Sequence, residues 1–282
     1  MITTFGDRLS AAMAARGPLC VGVDPHPALL TAWGLSDDLA GLRSFAATCV
    51  TALAGEVALL KPQSALFEAH GSGGVAVLER LIADARAAGT LVLVDAKRGD
   101  IGSTMTAYAR AYLTEGSPLA GDAVTLSPYL GFGSLEPALE IARATGRGVF
   151  VLARTSNPEG ASVQDALVSD EKGTRSVAQR VVDAAAQLNV GAPRLGDVGL
   201  VVGGNLPSLK LDLSGLNGPV LAPGFGAQGG TVADLRRLFG PALPGVLPTS
   251  SRDVLRHGPD VAALRQAVRG LRAELASAPA GG

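Results

Sequence analysis

The sequence predicts a (β/α)8 barrel, on three observations. Short apolar, often β-branched segments alternate with longer segments of helical periodicity, which is the pattern of a parallel sheet. Eight such strands in 282 residues match a barrel in number and length. No Gly-x-Gly-x-x-Gly follows the first strand, which weakens the alternative of a doubly wound open sheet. We expect one domain over residues 1–282, with 277–282 as a frayed tail.

The predicted elements follow one another along the whole chain. The strands are Leu19–Asp24, Val57–Lys61, Leu91–Asp95, Ala123–Leu126, Gly148–Ala153, Val198–Val202, Pro219–Ala222 and Gly245–Pro248. The helices are Leu39–Leu53, Val75–Ala88, Ser103–Leu113, Leu135–Thr145, Thr174–Asn189, Val232–Phe239 and Asp260–Ala276. Apolar residues three and four positions apart carry the helical prediction, most clearly between 75 and 85. Ser156–Lys172 is a long polar insert after the fifth strand.

Composition narrows the class of protein. A net charge of −1 gives no electrostatic reason to expect nucleic-acid binding, and 47% hydrophobic residues indicate an ordered globular chain. No apolar segment approaches the roughly 20 residues of a membrane span, and the first residues do not resemble a signal peptide. Cys20 and Cys49 are expected to be reduced and buried, which favours a cytoplasmic protein.

The end of the third strand carries an unusual alternation of charge. Asp95, Lys97 and Asp100 follow four apolar residues, and Asp95 and Lys97 lie on the same side of a strand. Buried charges cost several kcal/mol unless they are paired, so the alternation indicates an arranged network. A structural ion-pair cluster at the barrel rim, with Asp100 as the N-cap of the next helix, is the alternative.

Lys61 favours a functional site. The chain has only four lysines against twenty arginines, and Lys61 and Lys97 both stand at the ends of strand-like segments. A compact, titratable ammonium is what distinguishes lysine from arginine. Charges that perturb one another in a cleft are typical of active sites. Asp100 and Thr104 are four residues apart, so on a helix they would lie on one face and could contact the same ligand.

A glycine-rich segment, Pro223–Gly230, follows the seventh strand. Its backbone N–H groups and the Gln228 amide are suited to a phosphate, and barrels commonly bind phosphate after strands seven and eight. Arg252, after the eighth strand, supplies a guanidinium fork for the same group. An ordinary βα turn is the alternative for the loop. Together these features predict a phosphorylated ligand.

The other strand ends are more ambiguous. Asp24 is suited to accept hydrogen bonds from sugar hydroxyls or to begin an Asp-Pro turn. Thr155 and Ser156 are suited to ligand binding or to turn formation, and Ser127 favours a structural role. The three histidines are scattered without the spacing of metal ligands, so we expect no metal site.

With these residues assembled, the chain resembles the orotidine 5′-phosphate decarboxylases, and most closely their bacterial type 2 branch. The resemblance covers nearly the whole chain, through Gly22-Val-Asp-Pro, Leu60-Lys-Pro, Asp95-Ala-Lys-Arg-Gly-Asp-Ile, Ser127-Pro-Tyr-Leu-Gly, Arg154-Thr-Ser-Asn-Pro, Ala222-Pro-Gly-Phe-Gly-Ala-Gln-Gly-Gly and Ser251-Arg. The third-strand motif is shared by a wider suprafamily, and the ordered set is specific to the enzyme.

The resemblance implies roles for the matching residues. Lys61, Asp95, Lys97 and Asp100 would form an alternating catalytic network, with Lys97 as the proton donor. Asp100, Ile101 and Thr104 would reach the neighbouring subunit's site, which implies a homodimer. The remaining implied contacts are Asp24 and Lys61 to the ribose, Ser156 (or its neighbour Thr155) to the pyrimidine, and Pro223, Gln228 and Arg252 to the phosphate.

The implied reaction is loss of CO2 from orotidine 5′-monophosphate to give UMP, the last step of de novo UMP synthesis, with neither cofactor nor metal. Related enzymes that share Asp-x-Lys-x-x-Asp look different at the second strand, where an acidic residue helps to bind Mg²⁺. Lys61 at this position would repel a metal ion. The other alternative is a non-catalytic barrel that binds nucleotides or sugar phosphates for regulation.

Overall fold

The chain folds into a closed barrel of parallel strands, which confirms the predicted fold class. A computed structural model describes residues 3–171, 173–227 and 229–277. The barrel strands are β1 (Cys20–Val23), β2 (Leu59–Pro62), β3 (Leu91–Arg98), β4 (Ala123–Leu126), β5 (Gly148–Arg154), β8 (Val198–Val202), β9 (Val220–Pro223) and β10 (Val246–Ser250). They pair in this order, and β10 closes onto β1. All these pairings are parallel, so the carboxyl ends of the strands share one face.

Helices surround the barrel, and side chains of the first helix enter its interior. The helices are α1 (Phe5–Arg16), α2 (Pro27–Ala32), α3 (Leu39–Leu53), α4 (Ser64–Glu68), α5 (Gly71–Ala87), α6 (Gly102–Leu113), α7 (Glu136–Thr145), α8 (Ala161–Gln164), α9 (Val177–Leu188), α10 (Val232–Phe239), α11 (Arg252–Leu255) and α12 (Val261–Ala276). α3 begins where predicted, because the Asp38 side chain accepts from the N–H groups of Ala40 and Gly41 at 2.9 and 2.8 Å. Among the described helices, none is long and apolar enough to cross a membrane.

The predicted polar insert contains a β-hairpin of its own. β6 (Leu167–Asp170) pairs antiparallel with β7 (Gly173–Ser176), and α9 begins only at Val177. The prediction of a helix from Thr174 was therefore wrong at its start, where Ser176 serves as the N-cap. Lys172, at the end of the predicted insert, lies outside the described residues, as do 278–282 of the predicted tail.

The buried hydrophobic side chains form two separate clusters, one inside the barrel and one around it. The larger lies between strands and helices, and the smaller fills the barrel with inward-facing side chains such as Leu59, Leu93 and Leu247. Phe5 of α1 belongs to the inner cluster and packs edge-on against Phe150, with ring centroids 5.9 Å apart. The interior below the carboxyl face is therefore packed side chains.

Candidate active site

Charged side chains from three neighbouring strands meet at the carboxyl face of the barrel. Asp24 follows β1, Lys61 lies near the end of β2, and Asp95 and Lys97 lie in β3. All four line a cavity of about 350 Å³. Side chains from β5, β8 and β9 form its apolar wall, namely Leu152, Val201 and Leu221. The sequence-predicted strand ends are thus brought together.

Asp95 is the centre of the charge cluster. Its Oδ2 accepts from Lys61 Nζ at 3.0 Å, and its Oδ1 accepts from Lys97 Nζ at 2.7 Å. Lys61 Nζ also lies 3.8 Å from Asp24 Oδ1. Within this chain, the charges alternate in the order Asp24, Lys61, Asp95, Lys97.

The cluster keeps Asp95 ionised although it is buried. Burial alone would raise the pKa of the Asp95 carboxyl, but the two ammonium groups outweigh it and hold the pKa at about 2. Burial would likewise lower the pKa of Lys61, yet Asp24 and Asp95 raise it above its ordinary value. At neutral pH the site therefore holds a fixed carboxylate beside a fixed ammonium.

Lys97 reaches Asp95 through an irregular backbone. The residue has φ +48°, in the left-handed region, and the pairing of β3 with β4 shifts register between Val94 and Arg98. Thr125 of β4 supports this conformation, since its Oγ1 accepts from Lys97 N–H at 2.9 Å and donates to Asp95 Oδ1 at 2.8 Å. The predicted proximity of Asp95 and Lys97 is confirmed, but a local bulge produces it rather than regular strand geometry.

Asp24 offers an unused acceptor to the cavity. Its Oδ1 is buried and has no hydrogen-bond partner among the described residues. A buried oxygen that accepts no hydrogen bond costs free energy, so it favours a ligand that donates one there.

The glycine-rich loop lies beside Arg252 at the mouth of the cavity. Pro223, Gly224, Phe225 and Ala227 line the cavity together with the exposed side chain of Arg252. Gly226 has φ +80°, and a Cβ there would overlap the Asp253 carboxylate, which accepts from Ala227 N–H. The predicted residue Gln228 lies outside the described residues.

The structure distinguishes Thr155 from Ser156. Thr155 Oγ1 donates to Asn157 Oδ1 at 2.6 Å and accepts from Gln164 Nε2 at 2.9 Å. Ser156 also lines the cavity, and its hydroxyl has no hydrogen-bond partner within the described chain. Ser156 is thus the better placed of the two to bind a ligand. Ser127 does not line the cavity.

Asp100, Ile101 and Thr104 do not line this cavity. Ile101 is 62% exposed and serves as the N-cap of α6, and Thr104 is exposed in the first turn of that helix. The Asp100 carboxylate accepts from Ile101 N–H at 2.8 Å, so Asp100 is not the N-cap that the structural alternative requires. The exposed side chains of Ile101 and Thr104 are available to a neighbouring molecule, and Asp100 next to them is half-buried.

Several polar residues of the site were not predicted from the sequence, among them Thr125 and Gln63. Thr125 holds both Asp95 and Lys97, and Gln63 lines the cavity and donates through Nε2 to the Asp95 carbonyl at 3.3 Å. A feature of the sequence could have identified each of these two residues. Thr125 is the one polar residue in the buried segment Ala123–Leu126, and Gln63 stands two residues after Lys61 and so projects to the same side.

The fold and the charge cluster together define a class, a (β/α)8-barrel enzyme with its site at the carboxyl face. Residues 17–267 match the model of the orotidine 5′-phosphate decarboxylase / HUMPS family, and the chain belongs to this family.

Individual relatives are similar to this chain over nearly its whole length. The chain is 60% identical to an orotidine 5′-phosphate decarboxylase of Salinispora arenicola, with 99% of each chain covered. It is 57% identical to the corresponding Streptomyces coelicolor protein, with 97% of this chain and 98% of the relative covered. A solved Streptomyces avermitilis structure assigned as this enzyme has a TM-score of 0.95 at 57% identity, covering 99% of this chain and 97% of that one. The Leishmania donovani OMP decarboxylase structure has a TM-score of 0.74 at 31% identity, with 98% of each chain covered.

Proposed function

We propose that the chain decarboxylates orotidine 5′-monophosphate to UMP and CO2 through the electrostatics of the Asp95 cluster. The single observation that carries the mechanism is Asp95, held ionised in the cavity between the Lys61 and Lys97 ammonium groups. The identity of about 60% to named decarboxylases over the whole length supports the activity.

Lys97 acts on the reacting carbon. Loss of CO2 from C6 leaves a carbanion in the ring plane that no neighbouring carbonyl delocalises. A nearby ammonium stabilises this charge and then donates its proton to C6, giving UMP and a neutral amine that water reprotonates. Lys97 is suited to this role because its side chain is 44% exposed toward the opening, whereas Lys61 is buried.

Asp95 favours departure of CO2. A substrate carboxylate placed beside the ionised Asp95 is repelled, and the repulsion is relieved as the carboxylate becomes neutral CO2. Asp95 also holds the Lys97 ammonium at 2.7 Å, in advance of the reaction.

The remaining cavity residues bind the parts of the substrate that do not react. Asp24 and Lys61 are proposed to hold the ribose hydroxyls, Ser156 the pyrimidine, and Arg252 with the Pro223–Gly230 loop the phosphate. Asp24 Oδ1 and the Ser156 hydroxyl support this assignment because neither makes a hydrogen bond within the described chain. Binding energy from the phosphate is available to close the loop and exclude water, which raises the rate as well as the affinity.

The cluster argues against a metal-dependent reaction of the kind found in relatives that share the third-strand motif. Lys61 occupies the second-strand position and donates to Asp95, so a cation there would meet an ammonium. A purely regulatory barrel would need the phosphate loop but has no use for two lysines alternating with aspartates.

The decisive experiment adds orotidine 5′-monophosphate to purified protein in EDTA and follows the ultraviolet change to UMP. We expect full turnover with and without EDTA. No conversion in either condition would refute the proposed activity. Conversion lost only with EDTA would indicate a metal-dependent mechanism instead.

We also propose a homodimer in which Asp100, Ile101 and Thr104 complete the neighbouring site. Ile101 and Thr104 are exposed, Asp100 is half-buried, and none of the three lines the cavity of its own chain, which supports this arrangement. Mixing inactive Asp100→Ala and Lys97→Ala proteins should restore one working site in each mixed dimer, because the intact Asp100 then serves the intact Lys97. No recovery after confirmed subunit exchange would contradict a shared site.

The proposed location is the cytoplasm. UMP is consumed by nucleic-acid synthesis inside the cell, and Cys20 and Cys49 are both buried as free thiols. Burial raises the pKa of the Cys20 thiol to about 12, which keeps it protonated and unreactive.

A further inference from the structure

We infer that Arg98 is a positioning residue that holds the irregular end of β3, and with it the Lys97 ammonium, in its working place. The inference rests on the proposed role of Lys97 as proton donor. Arg98 does not line the cavity, so it does not touch the substrate.

The Arg98 guanidinium is bound on several sides by protein groups. Its Nη2 donates to Glu68 Oε1 and, at 3.3 Å, to the hydroxyl of Tyr112. Its central carbon lies 5.7 Å from the ring centroid of Tyr108 and 5.8 Å from that of Tyr112. Ser64 Oγ donates to the same Glu68 oxygen at 2.5 Å. The cation is therefore held by a carboxylate and two aromatic rings.

These partners lie on the helices that directly follow the proposed catalytic groups in the chain. Glu68 ends α4, which begins two residues after β2 and its Lys61. Tyr108 and Tyr112 lie one turn apart on α6, the helix that follows Asp100. One guanidinium thus connects the segments of Lys61, Lys97 and Asp100.

Lys97 needs such a connection because its backbone is strained. A non-glycine residue in the left-handed region costs about 1–3 kcal/mol and persists only where its surroundings hold it. Thr125 holds the Lys97 N–H from one side. On the other side, the Arg98 carbonyl accepts from Ser127 N–H at 2.8 Å, and the Arg98 side chain is fixed between α4 and α6. Releasing that side chain removes a restraint immediately next to the strained residue.

Arginine is required here rather than any cation. Its planar group stacks on aromatic rings while donating hydrogen bonds from its edge, and a lysine ammonium cannot do both in the same geometry. Arg98→Lys should therefore resemble Arg98→Met rather than the wild type.

The test separates positioning from substrate binding. Arg98→Met and Arg98→Lys should lower kcat roughly tenfold to a hundredfold, since small displacements of a reacting group have effects of that size, while KM stays within about twofold. In Arg98→Ala, free guanidinium at low millimolar concentration should restore part of kcat by occupying the vacated space.

Arg147 provides a matched control. It is a buried arginine at the opposite end of the barrel, where Nη2 donates to Glu115 at 2.5 Å and Nη1 to the Gly121 carbonyl. Arg147→Met should lower the free energy of unfolding but leave kcat of the folded enzyme unchanged, and guanidinium should not stimulate Arg147→Ala.

Each outcome is decisive. A folded Arg98→Met with wild-type kcat, or one that changes KM alone, would overturn the inference. A wild-type protein that fails to convert the substrate in the same assay would instead refute the proposed function.

Discussion

Replacing Asp95 with Asn should remove a stabilisation that depends on pH in a defined direction. The Lys61 and Lys97 ammonium groups hold the pKa of Asp95 at about 2, against an ordinary value of 3.8, despite its burial. A difference of this size corresponds to about 2 kcal/mol of folding free energy. Because the folded pKa lies below the unfolded one, this stabilisation is complete well above pH 3.8 and is lost as the pH falls toward about 2.

The variant adds a second cost. Without the Asp95 charge, the buried Lys61 ammonium keeps only Asp24, 3.8 Å away, as a counter-ion. Leaving a buried charge poorly compensated is destabilising, so we expect a total loss of about 2–4 kcal/mol at neutral pH. Activity should fall with it, because Lys97 loses the carboxylate that holds it.

Urea unfolding of wild type and Asp95→Asn across acidic to neutral pH measures the effect. The difference in unfolding free energy should be constant near neutrality and fall by about 1 kcal/mol at roughly pH 3. Asp197→Asn is the control with the opposite sign, because burial raises the pKa of Asp197 and its ionised form disfavours folding as the pH rises. A difference for Asp95→Asn that is independent of pH would refute the reasoning.

Three further substitutions test other parts of the site. Lys97→Ala should lower kcat by roughly 10³-fold or more while UMP still binds, as measured by calorimetry, and near-normal turnover would contradict its role. Gly226→Ala places a Cβ at φ +80°, where it would overlap Asp253. It should lower kcat/KM about tenfold or more in steady-state kinetics, and an unchanged value would show that the loop can rearrange. Thr125→Val leaves the Lys97 N–H without its acceptor and should lower both kcat and the free energy of unfolding, the latter by about 1–3 kcal/mol in urea. Unchanged stability would argue against the hydrogen bonds from Thr125 to Asp95 and Lys97.

Hydrophobic pattern was enough to predict the barrel. The bounds of α3, α10, β4 and β8 agree with the periodic segments in the sequence, because each buries a regular apolar face. The start of α9 was not predictable in this way. Gly173–Ser176 is mostly exposed and pairs with Leu167–Asp170 through contacts such as Ser169 to Thr174 at 2.7 Å. Because these residues bury no apolar face, the sequence shows no hydrophobic periodicity there.

The charge cluster was predictable in its membership but not in its geometry. Strand ends brought Lys61, Asp95 and Lys97 to one face, as expected for a parallel barrel. The left-handed backbone at Lys97 and the bridging by Thr125 depend on the register shift between β3 and β4. Pairing register is a property of two strands, and neither segment alone reveals it.

The packed interior beneath the site determines where substrate enters and products leave. Phe5, Phe150 and the inner leucines leave no passage through the described part of the barrel, so the carboxyl face is the route for everything that enters or leaves. Substrate arrives by that opening, and both products depart by it. In the proposed mechanism CO2 forms in this cavity near Asp95, so it leaves by the same opening as the nucleotide. With the phosphate held by Arg252 and the Pro223–Gly230 loop as proposed, the nucleotide leaves only after that loop releases it, and CO2 shares the same exit.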